Sequence, residues 1–200
     1  MTSLPPAVVE WCSGRGAAAV ASNGNSLGVL GEPVTFAEHG LQVVETDSQG
    51  CCRWVVRVPS EPLGYEQEPL PGIPARPDEP GWADPPVWIA DMDDPEAQLA
   101  LYADSFSAYV LTSEWDAGVW DDASAEFDHL LKPDVLDWLR ERFTELPTTY
   151  AWADNQGCDA TYRFDGPAKI LIAVGGGIAL YSVVHTDDPQ LLAEIRTVLG

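Results

Sequence analysis

The sequence predicts an α+β domain with a mainly antiparallel, twisted sheet and helices packed on one side. Three observations favour this class. β-rich runs occur in neighbouring pairs joined by short turn-forming segments, and helix patterns are grouped between and after them. Hydrophobic residues make up 46% of the 200 residues, with eight tryptophans, so the chain can fill a sizeable core. We therefore expect a single domain over residues 1–200.

The first third begins with a short helix pattern at residues 5–13, followed by a turn signal at 23–26. Two β-rich runs, 41–45 and 51–58, flank the sequence Asp47-Ser48-Gln49-Gly50. Four polar or turn-forming residues between two such runs predict a hairpin, in which Gly50 is free to adopt a positive φ.

Residues 59–86 have a different composition, with nine prolines, six acids and a single base in 28 residues. Proline fixes φ and removes a backbone donor, so regular structure is not expected here. We interpret the segment as a long acidic insertion on the surface of the domain, because a strand pattern resumes at 87–90.

Helix starts are indicated where an acidic cap precedes proline. Asp93-Asp94-Pro95-Glu96 predicts a helix in which Leu99, Tyr102, Phe106, Tyr109 and Val110 line one face. Pro133-Asp134 predicts a second helix, with Val135, Leu136, Leu139, Phe143 and Leu146 on one side. Asp187-Asp188-Pro189 predicts the last one, and strands are expected at 149–153, 161–164, 169–174 and 178–184.

The charge restricts the classes of partner. A net charge of −22, from 32 acids and 10 bases, repels nucleic acid and anionic membrane surfaces and favours a basic protein or a cation. A general role in keeping the protein soluble is an equally open explanation. The N-terminus lacks a basic stretch followed by an apolar core, and no run reaches the roughly 18 apolar residues of a membrane span, so we expect a cytoplasmic protein.

Two similar stretches suggest a paired metal or redox site. DSQGCCRWVVRV begins at Asp47 and DNQGCDATYRF begins at Asp154, and each places Gln-Gly-Cys before a β-rich run. Zinc sites usually need closely spaced Cys or His pairs, which Cys12, Cys51, Cys52 and Cys158 do not provide. The stretches are better explained as two turns that feed strands, and we expect reduced thiols and no cofactor.

Other catalytic patterns also have simpler explanations. Gly175-Gly176-Gly177 lies between two β-rich runs, which favours a hairpin turn over a phosphate loop. Asp91 to Glu96 lacks the glycine that a calcium loop needs at its sixth position. No G-x-S-x-G motif occurs, so an enzyme would require His39, His129 or His185 in a pocket beside a Cys or a carboxylate.

Tryptophans are favoured both in cores and in binding hot spots. Trp54, Trp138 and Trp152 lie in predicted regular elements and are expected in the core, whereas Trp82, Trp115 and Trp120 are candidates for a partner surface. For Trp82, packing of the Pro-rich segment onto its own domain is the favoured alternative. We predict an acidic face that combines these candidates with nearby acids: Asp116, Asp121, Asp122, Glu126 and Asp128.

The order of motifs resembles the SUKH superfamily of Smi/Knr-like domains. Leu4-Pro5-Pro6 opens a short helix, and Asp47-Ser48-Gln49-Gly50 is similar to the family's Glu-Asn-Gln-Gly turn, with Trp54 in the next strand. Asp84-Pro85-Pro86-Val87 and a helix containing Ser105-Phe106 and Tyr109-Val110-Leu111 follow in the family's order. The insertion at 59–86 is longer than the usual connection, and Asp47-Ser48 departs from the acidic-Asn pair.

The resemblance implies a non-enzymatic recognition domain without a catalytic residue set. Bacterial proteins of this kind commonly serve as immunity proteins that bind a cognate toxin, often a nuclease, in toxin–antitoxin-like systems. A nuclease carries a basic cleft, towards which an acidic inhibitor is steered. The alternative is a regulatory or scaffold protein that binds a cellular protein or peptide, with residues 59–86 as the candidate contact segment.

Overall fold

The computed structural model describes residues 4–22, 24–29, 40–58, 78–91, 99–121, 125–129, 132–151 and 158–200. Contacts divide the chain into two compact units, residues 1–110 and 111–200. Both units contain helices and an antiparallel sheet, so the predicted α+β class is confirmed. The described residues form two sheets, whereas the sequence predicts one. The extent of the domain, residues 1–200, stays a prediction.

The first unit contains two short helices and a sheet in which each strand pairs antiparallel with the next one along the chain. Its elements are α1 (Pro6–Ser13), α2 (Gly16–Ser22), β1 (Ser26–Leu27), β2 (Leu41–Thr46), β3 (Cys52–Arg57), β4 (Val87–Asp91) and β5 (Leu99–Ala103). The sheet order β1-β2-β3-β4-β5 is that of a meander. Helix α3 (Phe106–Asp121) begins in this unit and ends among the residues of the second.

The predicted hairpin is present between β2 and β3. Leu41 pairs with Arg57 and Thr46 pairs with Arg53, and the register shifts between Val43 and Glu45. The chain after β1 approaches this irregularity closely, because the amide of Gly28 donates to the Val44 carbonyl at 2.9 Å. A Cβ at Gly28 would lie 2.0 Å from the Val43 carbonyl oxygen, so only glycine fits there.

The two faces of the first sheet have different contacts. On one face Leu41, Val43, Val55 and Ala90 are buried together, with Trp88 and Leu99 packed against them. Trp54 precedes Val55 in β3 and therefore points to the opposite face, towards Tyr102 and the beginning of α3.

The predicted start of a helix at residues 93–96 is wrong. Leu99 and Tyr102 lie in β5, and α3 begins only at Phe106, while residues 92–98 lie outside the described part of the chain. The continuous apolar run of β5 fits a buried strand as well as a helix face, and the helix begins at a different cap. Ser105 supplies this cap, because its Oγ accepts the amide hydrogen of Ala108 at 3.2 Å.

The second unit combines the remaining part of α3 with a sheet of order β6-β10-β9-β8-β7, in which all neighbours are antiparallel. Its other elements are β6 (Ala125–His129), α4 (Pro133–Arg140), β7 (Thr144–Glu145), β8 (Ala160–Asp165), β9 (Lys169–Gly175), β10 (Ile178–His185) and α5 (Pro189–Leu199). Strand β6 lies in the acidic stretch for which the sequence gives no strand pattern.

Helices cover both faces of the second sheet. Ile170 and Ile172 of β9 pack with Leu139 of α4 and Ile195 of α5. Leu171 points to the other face and packs against α3, with Trp115, Val119 and Val183. This differs from the predicted arrangement with helices on one side.

Two predicted turn and cap patterns in this unit are confirmed. Gly176 and Gly177 have φ values of 59° and 78°, as a tight hairpin requires. Asp188 caps α5, because its Oδ1 accepts the amides of Gln190 at 2.8 Å and Leu191 at 3.3 Å. Of the strand expected at 149–153, Thr149 forms an isolated bridge with Thr161. Trp152 and the second Gln-Gly pair, Gln156 and Gly157, lie outside the described residues.

Candidate functional site

The turn at Asp47–Gly50 is held by its own side chains. The Oδ2 atom of Asp47 accepts the amide hydrogens of Gln49 at 2.9 Å and Cys51 at 3.4 Å, and the Gly50 amide donates to the Asp47 carbonyl at 3.1 Å. Gly50 has a φ of 74°, as predicted. Cys51 is exposed and Cys52 is buried, as expected for neighbours near the start of a strand.

A chain of hydrogen bonds connects this turn to α3. The Ser48 amide donates to Asn25 Oδ1 at 2.9 Å, and Asn25 Nδ2 donates to Glu45 Oε1 at 2.6 Å. The hydroxyl of Tyr109 donates to the other carboxyl oxygen, Oε2 of Glu45. Both oxygens of this carboxyl group therefore accept from neutral donors.

Glu45 is a buried acid, with 3% of its surface exposed. Burial raises the pKa of its carboxyl group above the ordinary value of 4.5, and the charge of Asp47 raises it further. The hydrogen bonds from Tyr109 and Asn25 act in the opposite direction, since they favour the ionised form. Sequence reasoning missed this group, although an acid at the end of the run Leu-Gln-Val-Val-Glu is a signal of a buried polar contact.

Aromatic rings pack around Tyr109 in edge-to-face and tilted contacts. Its ring centroid lies 6.1 Å from that of Trp11, 6.3 Å from that of Tyr102 and 5.4 Å from that of Phe106. Tyr102 in turn contacts Trp54 at 5.8 Å. Trp54 thus packs against Tyr102 within its own unit, but it is half-buried and not fully enclosed as predicted for a core residue.

A second pair of predicted motifs meets at the beginning of α3. The amide of Ser107 donates to Asp84 Oδ1 and its hydroxyl donates to Asp84 Oδ2, each at 2.6 Å. Asp84 lies near the end of the Pro-rich segment 59–86 and precedes β4, so it connects the end of that segment to the helix. Trp82, a candidate surface residue, is only 5% exposed and packs within the domain.

The predicted acidic face is corrected at two of its residues. Trp115 and Asp116 are only 9% and 7% exposed, respectively, so neither presents its side chain on an open surface. Asp116 accepts from Arg163 Nε and Nη2, each at 2.6 Å, and Arg163 is fully buried. The indole N–H of Trp115 donates to Asp165 Oδ1 at 3.0 Å. Both residues satisfy internal partners on the second sheet, a role that their sequence spacing does not reveal.

The other members of the acidic face are located only in part. Trp120 and Asp121 belong to the last turn of α3, and Glu126 and Asp128 belong to β6. The side chains of these four residues, and Asp122 as a whole, lie outside the described structure. Their role in binding stays a prediction.

In the described residues of the second unit, arginine side chains form ion pairs with acids of the same chain. Besides Arg163 and Asp116, Arg140 Nε lies 2.9 Å from Glu145 Oε2, and its Nη2 donates to Oε1 at 3.0 Å. Arg142 Nη1 lies 3.5 Å from Glu141 Oε2, and its guanidinium carbon is 4.4 Å from the ring centroid of Trp138. Arg140, Arg142 and Arg163 therefore have acidic partners within the chain, and residues 111–200 contain sixteen acids and six bases.

Among the described residues, no group of three or more His, Cys, Asp or Glu side chains is arranged to hold a metal ion. Burial raises the pKa of the Cys12 thiol to about 11 and also raises that of Cys158, so both favour the protonated, weakly nucleophilic form. His185 is half-buried, while His39 and the side chain of His129 lie outside the described residues. Within the described part of the chain, no helix has the length and apolar character needed to cross a membrane.

Comparison with protein-family models, with curated proteins and with solved structures finds no match to this chain.

Proposed function

We propose that this protein is a non-enzymatic binding module, a cytoplasmic immunity protein of the SUKH type that neutralises a cognate toxin. Its partner is a basic protein, with a nuclease as the favoured case. The proposal combines the motif resemblance with the strongly acidic composition.

One observation carries the proposal. The segments on which the resemblance rests are joined by hydrogen bonds within the first unit, although they are distant in the sequence. Asp47 and its turn connect through Asn25 and Glu45 to Tyr109 in α3, and Asp84 bonds to Ser107 in the same helix. A single packed unit that contains these segments is what the proposed recognition domain requires.

Electrostatics supports a basic partner. The ion pairs of Arg140, Arg142 and Arg163 neutralise three bases internally, and the net charge of the whole chain is −22. An inhibitor with excess negative charge associates faster with a basic cleft, because long-range attraction steers the encounter. Trp120, Asp121, Asp122, Glu126 and Asp128 remain the proposed contact surface, whereas Trp115 and Asp116 serve to hold α3.

The direct test is co-expression with the protein encoded next to this one, followed by a growth assay and a pulldown. We expect the neighbour to be toxic alone, harmless in the presence of this chain, and bound to it. Replacing Asp121 and Asp122 with Asn should weaken binding. Replacing Asp137 of α4 with Asn and Glu141, at the C-terminal cap of α4, with Gln removes the same charge at two exposed positions and serves as the control. A neighbour that is neither toxic nor bound contradicts the proposal.

The scaffold alternative is separated by a deletion within the Pro-rich insertion. Trp82 is buried and Asp84 bonds to α3, so the deletion should be confined to residues 59–77. If the shortened protein folds and still protects against the toxin, the immunity proposal is supported. If the shortened protein folds but no longer binds a cellular partner, and neither it nor the full-length chain protects against the toxin, the scaffold role is the better explanation.

A further inference from the structure

The two sheets present four outer strands in the described residues: β1, β5, β6 and β7. An outer strand carries unpaired main-chain N–H and C=O groups, which another chain can pair with. Proteins limit such pairing by short length, charge, proline or a bulge in the strand. The four outer strands of this protein differ in how many of these protective features they have.

Three of the four are protected. β1 and β7 contain two residues each, which is too short to support a stable additional strand. β6 has the sequence Ala-Glu-Phe-Asp-His, in which three of five side chains are ionisable. These strands match the usual protection against unwanted pairing.

β5 is not protected in this way. It contains five residues, Leu-Ala-Leu-Tyr-Ala, without a charge or a proline. Leu99, Ala100 and Leu101 pair in continuous register with Ala90, Ile89 and Trp88, and the irregularity of this strand pair lies beyond them. Their side chains are half-buried, so an apolar stretch of strand remains partly open to solvent.

We propose that β5 is a docking edge that accepts an extended segment of a basic partner protein as an additional strand. This inference rests on the proposed function and adds a contact in the first unit to the acidic surface proposed above. The partner strand would have apolar residues facing Leu99 and Leu101 and basic residues at its ends, because residues 1–110 contain sixteen acids and four bases. Pairing of β5 with a second copy would bring two such acidic units together, which charge repulsion disfavours.

The first experiment uses a synthetic peptide of alternating valine and threonine that is flanked by lysines at both ends and has blocked termini. We expect it to bind the intact protein in calorimetry and to slow hydrogen exchange of β5 amides. The control peptide has the same sequence with alternate backbone nitrogens methylated, which keeps its charge but removes donors. The control should bind roughly tenfold more weakly or worse, since strand addition depends on main-chain hydrogen bonds. Equal binding of both peptides, with unchanged exchange in β5, overturns the inference.

Two variants of the chain test the same edge. Successive N–H groups of a strand point to opposite sides, so one of Ala100→Pro and Leu101→Pro removes an outward donor and the other removes a bond to β4. We expect the outward variant to keep its thermal unfolding transition and to lose peptide binding. The inward variant should unfold at a lower temperature. Two stable variants that both bind normally contradict the proposal.

The cognate partner separates this inference from the proposed function. If the partner binds but leaves exchange in β5 unchanged, the docking edge is wrong and the immunity function stands. If no neighbour-encoded protein binds while the peptide pairs with β5, the proposed function fails and the edge stands. A dimer of the free chain that protects β5 would assign the edge to a second copy and overturn the proposed occupant.

Discussion

At the scale of single residues, Glu45 stands out because the sequence does not reveal that its carboxyl group is buried and has a raised pKa. Its carboxyl group is buried and bonded by Tyr109 and Asn25, both neutral, and its pKa is raised by burial. An acid with a raised pKa binds its proton more tightly in the folded than in the unfolded chain. Stability therefore rises as the pH falls through the folded pKa, and the gain is complete below the unfolded value near 4.5.

Glu45→Gln should remove this pH dependence. We expect the free energy of unfolding of the wild type, relative to the variant, to increase as the pH is lowered from 7 towards 4.5, since only the wild type takes up the proton. Urea denaturation at a series of pH values measures the difference. Glu141→Gln, on an exposed side chain, controls for the loss of one negative charge. A constant difference between wild type and variant at every pH would refute the prediction.

Asp116 and Arg163 form a buried pair in the second unit, and Arg163 also donates to Thr149 Oγ1 at 2.9 Å. Asp116→Ala leaves the buried guanidinium without its counter-ion, which should cost about 3–5 kcal/mol of stability. The double variant Asp116→Leu and Arg163→Met should recover much of this loss of stability. A double-mutant cycle by urea denaturation gives the coupling, and a loss of under about 1 kcal/mol for Asp116→Ala would show that water solvates the site.

At the scale of elements, the sequence predicts most strands and turns but places one helix wrongly. The hairpins at Gly50 and Gly176 and the cap at Asp188 follow local rules of turn chemistry, so they are predictable. Leu99 and Tyr102 fit a helical period by coincidence, and only tertiary pairing with β4 identifies their strand. The division into two sheets has no local signal, because it depends on which strands meet in space.

Gly50 provides a prediction at this scale. A Cβ at this position meets no heavy atom within 4 Å, so a substitution costs only the strain of a positive φ. Gly50→Val should therefore reduce the free energy of unfolding by roughly 1–2 kcal/mol, whereas Gly50→Asn should cost less, since asparagine tolerates this backbone conformation. Thermal and urea unfolding compare the two. Equal losses would mean that space, and not φ, decides.

Cys51→Ser, at an exposed site, should leave both stability and partner binding unchanged.

At the scale of the whole molecule, charge is the property that composition alone predicts. The candidate site is predictable only in part: the acidic excess is visible in the sequence, but the burial of Trp115 and Asp116 is not. Whether an acid faces solvent or an internal arginine depends on long-range pairing, here over 47 residues between Asp116 and Arg163.

The affinity for the basic partner should fall as salt concentration rises, mainly through slower association. Screening shortens the range of attraction to about 8 Å at physiological ionic strength. Stopped-flow kinetics at several salt concentrations measures the association and dissociation rates separately. An association rate that does not depend on salt would contradict electrostatic steering and leave shape and apolar contacts as the basis of recognition.

The hydrogen bonding of the turn at Asp47–Gly50 also predicts how related sequences diverge. Asp47 and Asn25 satisfy the amides of the turn, and Gly50 supplies its conformation, so selection for folding acts on these three positions. Ser48 and Gln49 are exposed, and the turn does not require either side chain for its conformation. If Gln49 is retained among relatives in spite of this freedom, it has been kept for a contact outside the chain.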